Sequence, residues 1–210
     1  MGRLPPPPER GEISEAELAE FDAVVSRQAN LWRNAPSNSD QYFGALLNSP
    51  TVAASLASLG RVMRMGGVRG TYSDADRELV DMVLSVDFGY RAILALHIPD
   101  AIAVGVRLEA IEAIWHGQED RLTADEAFLA AYIRAVAGGT VDDGQYAALT
   151  QRLGRRGAVE YTAFIAFLIA TMRLWQALGV GEPTVEEIDE LLRSYRDGSA
   201  AALDPAARIG

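Results

Sequence analysis

The segment DRELVDMVLSVDFGYRAILALH, residues 76–97, has the pattern of two helices separated by a glycine. Both halves carry apolar residues three and four positions apart, which is the spacing of one helix face. Gly89 interrupts this pattern, and Asp87 is of a residue type that often caps the start of a helix. The segment therefore predicts a broken central helix, with its first half over residues 74–86 and its second half over residues 89–98.

The second half of this segment places a histidine on an apolar helix face. That face consists of Tyr90, Ile93, Leu94 and His97. Pro99 is expected to end the helix, because a proline disfavours the helical conformation of the residue before it. His97 is thus predicted to be buried, and a buried histidine is most often a packed residue with one satisfied hydrogen bond.

Glu78 supports a functional interpretation of this histidine. It precedes His97 by 19 residues, and the carboxylate approaches the imidazole if the break folds the two halves past each other. A carboxylate beside an imidazole in an apolar pocket is a workable proton relay. The alternatives for Glu78 are an exposed first-turn position or an ion pair with Arg77, Arg91 or Arg173.

The rest of the chain predicts an all-α protein, because no alternating strand pattern occurs and helix-capping signals are frequent. Capping boxes stand at Ser14-x-x-Glu17, Thr123-x-x-Glu126 and Thr184-x-x-Glu187, with a weaker one at Ser73-x-x-Asp76. Besides the two halves above, the predicted helices cover residues 14–30, 39–47, 50–65, 100–104, 107–116, 124–137, 143–153, 157–178 and 185–196.

The domain organisation follows from these elements. Residues 1–12 are predicted to be an extended, proline-rich arm. Residues 13–196 form a single all-α domain, in which 13–70 are an N-terminal helical extension and 71–180 are the core. Residues 197–210 are predicted to be a flexible tail.

Composition limits the function classes that this chain can serve. A formal net charge of −10 without a basic run argues against nucleic acid and anionic membranes as partners. The N-terminus has no apolar signal segment, so a cytoplasmic protein is expected. The chain has no cysteine, and all 19 of its basic residues are arginines, which excludes thiolate nucleophiles and lysine Schiff bases. The two histidines lack metal-ligand spacing, and His116 is assigned to a helix end, so we expect no metal and no cofactor.

The segment at 76–97 resembles the core of the carboxymuconolactone decarboxylase family, which includes the alkyl hydroperoxidase D-like proteins. In that family an Arg-Glu-Leu-Val helix leads, through a break with glycine, into a Cys-x-x-Cys-x-x-x-His segment. Gly89 matches the glycine, and His97 matches the histidine. Tyr90 and Ile93 stand at the two cysteine positions, and Glu78 stands at the relay glutamate.

The resemblance extends over roughly residues 4–195. The matching stretches are PPPPERGEISEAELAEFD, YFGALLNSPTVAASLASLGRVMRMGG and RRGAVEYTAFIAFLIATMRLWQALGV. It implies an alkyl hydroperoxidase D-like helical bundle around the broken helix. It also implies a homo-oligomer, most commonly a trimer or hexamer.

The missing cysteines divide the functions that the family implies. Its hydroperoxidase members need both cysteines, so alkyl hydroperoxide reduction is expected to be absent here. The decarboxylase branch works without cofactor or thiol and keeps the histidine and the glutamate. Leu168 and Ile169 replace positions that are often polar in the family, which predicts a more apolar pocket.

The resulting hypothesis is a cofactor-independent lyase, decarboxylase or isomerase that acts on a small, fairly apolar carbonyl compound or lactone carboxylate. His97 would be the general acid and base, and Glu78 would orient it or pass its proton. The expected substrate-binding residues are Tyr90, Arg91, Ile93 and Leu94. Tyr90 would donate to a developing enolate or simply pack, and Arg91 would hold a substrate carboxylate. The alternative is a non-catalytic binding or scaffold relative that has kept the fold.

Overall fold

The computed structural model describes residues 3–31 and 38–201, and the regular secondary structure of these residues is entirely helical, with no strand. The helices are α1 Leu18–Leu31, α2 Asn38–Leu46, α3 Pro50–Arg64, α4 Gly66–Arg69, α5 Asp74–Asp87, α6 Arg91–Ala103, α7 Leu108–Trp115, α8 Ala124–Gly138, α9 Asp143–Leu178 and α10 Val185–Arg196. The prediction of an all-α protein is confirmed. Short 3₁₀ turns at Arg10–Glu12, Glu15–Glu17 and Glu119–Arg121 complete the regular structure.

The centre of the fold is a hairpin of α5 and α6, which pack against each other along their length. The link between them contains Gly89 at φ +65°, a left-handed conformation that favours glycine. The Tyr90 amide donates to the Ser85 carbonyl at 2.7 Å, which closes the turn. The predicted break is therefore present, and it folds α6 back along α5.

The second half of the broken helix differs from its predicted bounds at both ends. Asp87 ends α5 and pairs with Arg134 at 2.8 Å, so it does not cap α6, which begins at Arg91 rather than at residue 89. The helix also continues through Pro99 to Ala103, where two separate helices were expected. An internal proline removes one backbone hydrogen bond. Its neighbour Ile98 is fully buried, and this packing holds the helix together across the proline.

Predicted capping boxes set the starts of α5, α8 and α10. The side chains of Ser73, Thr123 and Thr184 each accept from the backbone amide three residues later, as predicted. Ser14 is an exception, because its hydroxyl donates to the Glu17 carboxylate at 2.9 Å instead of capping the backbone. A 3₁₀ turn follows it, and α1 begins only at Leu18.

Helix α9 is interrupted at Gly154, where φ is +71°. The two parts correspond to the two helices predicted over 143–153 and 157–178. The second part enters the core through Phe164, Ile165, Leu168 and Met172, all buried. By length and composition α9 is also the one helix in the described residues that would be able to cross a membrane, a test that core helices pass as well.

The described N-terminal segment lies against this helical body. The Arg3 guanidinium donates to the Gln176 carbonyl at 3.3 Å, and Asn48 donates to the Pro6 carbonyl at 2.9 Å. The predicted arm thus contacts the end of α9 and the loop before α3. Most of the predicted tail, residues 202–210, lies outside the described residues.

Candidate functional site

The hairpin brings His97 and Glu78 into direct contact. The distance from the imidazole Nδ1 to the carboxylate Oε2 is 2.8 Å. Glu78 lies in the first turns of α5 and is 1% exposed, whereas His97 lies in the middle of α6 and is 7% exposed. The pair that the sequence suggested is therefore buried at the interface of the two central helices.

Two further carboxylates surround the imidazole. Asp81 follows Glu78 by one turn and places Oδ1 3.6 Å from the His97 Nε2. Asp100 follows His97 by one turn and places Oδ2 3.8 Å from the His97 Nδ1. Both are buried. The sequence pattern did not single them out, although each stands three positions from a site residue and therefore on the same helix face, which was the signal available.

Two arginines balance these carboxylates. Arg64, the last residue of α3, donates to both oxygens of Asp81 at 3.1 and 3.3 Å and lies 3.9 Å from Glu78. Arg77 donates to the Glu78 Oε1 at 2.9 and 3.1 Å, one of the ion pairs considered from sequence. Arg77 also donates to the Arg64 carbonyl at 3.0 Å. The arginines thus tie the end of α3 to the start of α5.

The balance of charge determines the state of Glu78. Burial alone would raise the pKa of this carboxyl, but the combined attraction of His97, Arg64 and Arg77 outweighs burial and holds the pKa below its usual range. An ionised carboxylate only accepts hydrogen bonds, so the His97 Nδ1 carries the hydrogen that it shares with Glu78. The other ring nitrogen, Nε2, is then the atom that exchanges a proton.

The same cluster contains donor atoms that would suit a cation by distance. Atoms of Glu78, Asp81 and His97 lie within 4.8 Å of one another. However, Arg64 already holds both oxygens of Asp81, and Arg77 and the imidazole hold those of Glu78. A metal ion would have to displace two guanidinium groups, so these residues fit a charge-balanced proton site better than a metal centre.

The remaining predicted site residues lie along α6 at increasing distance from the histidine. Ile93 and Leu94 lie about one helical turn before His97 and are buried in the core. Tyr90 is buried at the start of α6, with its ring edge-on to Trp175 at a centroid distance of 6.1 Å. Burial raises the Tyr90 pKa, and its hydroxyl has no hydrogen-bond partner among the described residues.

Arg91 is not brought to His97. It lies six residues earlier on α6, nearly two helical turns away. Its Nε donates to the Pro183 carbonyl at 2.6 Å, and its backbone amide donates to Glu182 at 2.9 Å. The Arg91 side chain therefore points to the segment before α10 and connects α6 to it.

The ion cluster reaches the surface through its arginines. The side chain of Arg64 is 30% exposed and that of Arg77 is 18% exposed, whereas the carboxylates of Glu78 and Asp81 are buried. Arg64 also lies over the Phe164 ring, 5.5 Å from its centroid. A molecule that approaches the imidazole from solvent on this side therefore meets a guanidinium group first.

No protein-family model, no curated protein and no solved structure matches this chain. The resemblance to the carboxymuconolactone decarboxylase family therefore depends only on the sequence stretches quoted above and on their order along the chain.

Proposed function

We propose that this chain is a cofactor-independent acid–base enzyme of the lyase or isomerase type, acting on a small, fairly apolar carbonyl compound or lactone carboxylate. The observation that supports this most is the buried hydrogen bond between His97 Nδ1 and Glu78 Oε2, at 2.8 Å. A histidine oriented by a carboxylate is a common general acid and base. The resemblance to the carboxymuconolactone decarboxylase family suggests the substrate class, an alkyl hydroperoxidase D-like bundle and a homo-oligomer.

The proposed reaction requires one group that exchanges a proton and one substrate carbonyl that accepts an electron pair. In a decarboxylation the bond to the departing CO₂ breaks, and its electron pair passes into the neighbouring carbonyl to form an enolate. His97 then donates its Nε2 proton to the carbon, forming a C–H bond, and is reprotonated from water. In an isomerisation His97 first removes a proton from one carbon and returns it to another. Glu78 orients the ring and stabilises the imidazolium in both cases.

The residues along α6 would form the rest of the substrate site. Ile93 and Leu94 would provide apolar surface, and the unpartnered Tyr90 hydroxyl is a donor suited to an enolate oxygen. Because Arg91 is held by the segment before α10, a role for it in carboxylate binding would require the bond to Pro183 to break.

The test is a substitution of each histidine in turn. His97→Gln should lower the rate on a panel of carboxylated lactones and β-keto acids by about 10²–10⁴-fold, the usual contribution of a general acid or base. The readouts are CO₂ release and deuterium incorporation from D₂O. His116→Gln is the matched control, because His116 is exposed at the end of α7 and should not affect the rate. Equal rates in both variants and the wild type would remove His97 from the mechanism.

One observation supports a second candidate function, a binding or scaffold protein without catalysis. The charges of the cluster are satisfied by one another, and only 8% of the His97 side chain is exposed. On this alternative His97→Gln lowers the melting temperature, but the wild type turns over no member of the panel. Thiol-dependent peroxide reduction should stay at background in every variant, since the chain has no cysteine.

A further inference from the structure

One carboxylate oxygen of the ion cluster lies between the histidine and an arginine. Asp81 Oδ1 is 3.6 Å from the His97 Nε2 and accepts from the Arg64 Nη2 at 3.1 Å. Nε2 is the ring atom that exchanges a proton, because Nδ1 is held by Glu78. The Arg64 guanidinium and this nitrogen therefore face the same oxygen.

Arg64 has donor groups left for a second anion. Its two bonds to Asp81 use one N–H of Nη1 and one of Nη2, out of the five N–H groups of a guanidinium. The Arg64 side chain is 30% exposed, whereas Asp81 is fully buried. The Phe164 ring lies below the guanidinium, and this cation–π contact keeps the group oriented. A small anion can therefore bind Arg64 from the solvent side while Asp81 holds it from inside.

Further positive charge surrounds Arg64 at the end of α3. Arg61 precedes it by three residues, which places both on one side of the helix, and Arg61 is exposed. Arg27 on α1 donates to the Ala57 carbonyl, one turn before Arg61. The Arg27 pKa is lowered by burial and by repulsion from Arg61 and Arg64, so the three guanidinium groups lie close together. An anion bound here would relieve this repulsion.

The other arginines considered for the site are engaged elsewhere. Arg91 donates to the Pro183 carbonyl at 2.6 Å, away from the histidine. Arg77 uses both Nε and Nη2 on Glu78, and its side chain is less exposed than that of Arg64. Arg64 is thus the arginine of the cluster that combines exposure to solvent with a position near the His97 Nε2.

We propose that Arg64 binds the carboxylate of the substrate, in the role that the sequence suggested for Arg91, and that Asp81 competes with this carboxylate for the guanidinium. The proposal deepens the proposed acid–base function, on which it rests, by selecting an anionic substrate and the residue that recognises it. A guanidinium forms strong, oriented hydrogen bonds with a carboxylate. Asp81 orients Arg64 before the substrate arrives, and its negative charge weakens the binding of a second carboxylate.

The test compares a carboxylate with its neutral ester on the full chain. The probes are γ-carboxy-γ-butyrolactone and its methyl ester, which have no carbonyl placed to accept the electron pair of a departing CO₂, so binding is measured without turnover. Isothermal titration calorimetry should show that the wild type binds the carboxylate about tenfold more tightly than the ester. Arg64→Met should remove this preference and leave the affinity for the ester unchanged. Arg193→Met, on the exposed side of α10, is the matched control and should keep the preference.

Asp81→Asn should have the opposite effect, which a merely structural role of the Arg64–Asp81 pair would not produce. It keeps the shape of the side chain and removes the competing charge, so it should bind the carboxylate about tenfold more tightly than the wild type does, with the ester unchanged. The double variant Arg64→Met/Asp81→Asn, in which both charges are removed together, should show no preference.

Three results would overturn the proposal. They are a wild type without a preference for the carboxylate, a preference that survives in Arg64→Met, and an Asp81→Asn variant that binds the carboxylate more weakly than the wild type. The turnover of His97→Gln is measured separately, on substrates that can react. Failure of the acid–base function and failure of the Arg64 site are therefore distinguishable.

Discussion

At the scale of single residues, the sequence indicates the contact between Glu78 and His97 but not the further residues that surround this pair. The sequence suggested that Glu78 meets His97 if the two halves of the broken helix fold past each other, and the hairpin of α5 and α6 brings the two side chains together in this way. The partners of these two residues were harder to recognise. Asp81 and Arg64 satisfy each other, and Arg64 comes from α3, whose position depends on packing rather than on local pattern.

Glu78→Gln tests the charge balance of this cluster. The variant keeps the shape of the side chain but leaves Arg77 and Arg64 under-compensated in a buried site, so the free energy of unfolding at pH 7 should fall by about 3 kcal/mol. Equilibrium urea denaturation of both proteins measures this difference. The melting of His116→Gln should match that of the wild type.

The same pair of proteins gives a pH test with a defined sign. The Glu78 pKa is lower in the folded protein than the ordinary value of 4.5. Its stabilising contribution is therefore fully present above pH 4.5 and is lost as the pH falls through the lower, folded-state value. The difference in unfolding free energy between wild type and Glu78→Gln should shrink as the pH is lowered from 4.5. A difference that stays constant down to about pH 3 would contradict the depressed pKa.

At the scale of helices and turns, local signals predicted most boundaries, and tertiary packing accounts for the exceptions. Three of the four predicted capping boxes and the predicted break at Gly89 depend on residues close in sequence, and they occur where they were predicted. Continuation of α6 through Pro99 depends instead on burial of the surrounding turn. Ser14 shows the same limit, because its hydroxyl binds a side chain that competes with the backbone.

An added methyl group should reduce the stability of the protein by different amounts at Gly89 and at Gly157. Gly89→Ala meets open space, so only the left-handed φ of +65° opposes it, at about 1 kcal/mol. Gly157→Ala has no such backbone cost, but its methyl group would overlap the Thr71 carbonyl and the Leu153 side chain. Such overpacking costs about 3 kcal/mol. Thermal unfolding should therefore rank Gly157→Ala below Gly89→Ala, with Gly11→Ala, which meets no neighbour, close to the wild type. The reverse order would show that backbone strain at the break outweighs packing.

At the scale of the whole molecule, charged residues join helices that are distant in sequence. Arg152 on α9 donates to both oxygens of Asp76, at the start of α5, at 2.9 and 3.0 Å. It also donates to both oxygens of Asp125, in the first turn of α8, at 2.8 Å. The local sequence around Arg152 does not indicate this junction, because the partners lie 27 and 76 residues away.

Arg152→Met should reveal how much the contacts of Arg152 with Asp76 and Asp125 contribute to the free energy of unfolding. It leaves the largely buried Asp76 without its cation, so the free energy of unfolding should fall by about 2 kcal/mol. Arg10→Met is the matched comparison, because Arg10 pairs with Asp22 on the surface, where solvent screens the pair, and its loss should be much smaller than that of Arg152→Met. Urea denaturation at low and high salt measures both. Equal losses in the two variants would mean that the junction is no stronger than a surface pair.

The order of the buried charges along the chain has a consequence for folding. The six groups of the ion cluster are Arg64, Arg77, Glu78, Asp81, His97 and Asp100, and they all belong to one continuous segment. Their contacts therefore have low sequence separation, and closing them requires only short loops. When α5 and α6 come together, the acids and bases lose water and gain partners in the same event. Each charged group therefore becomes buried together with a partner that is near it in sequence, rather than before a distant part of the chain has folded.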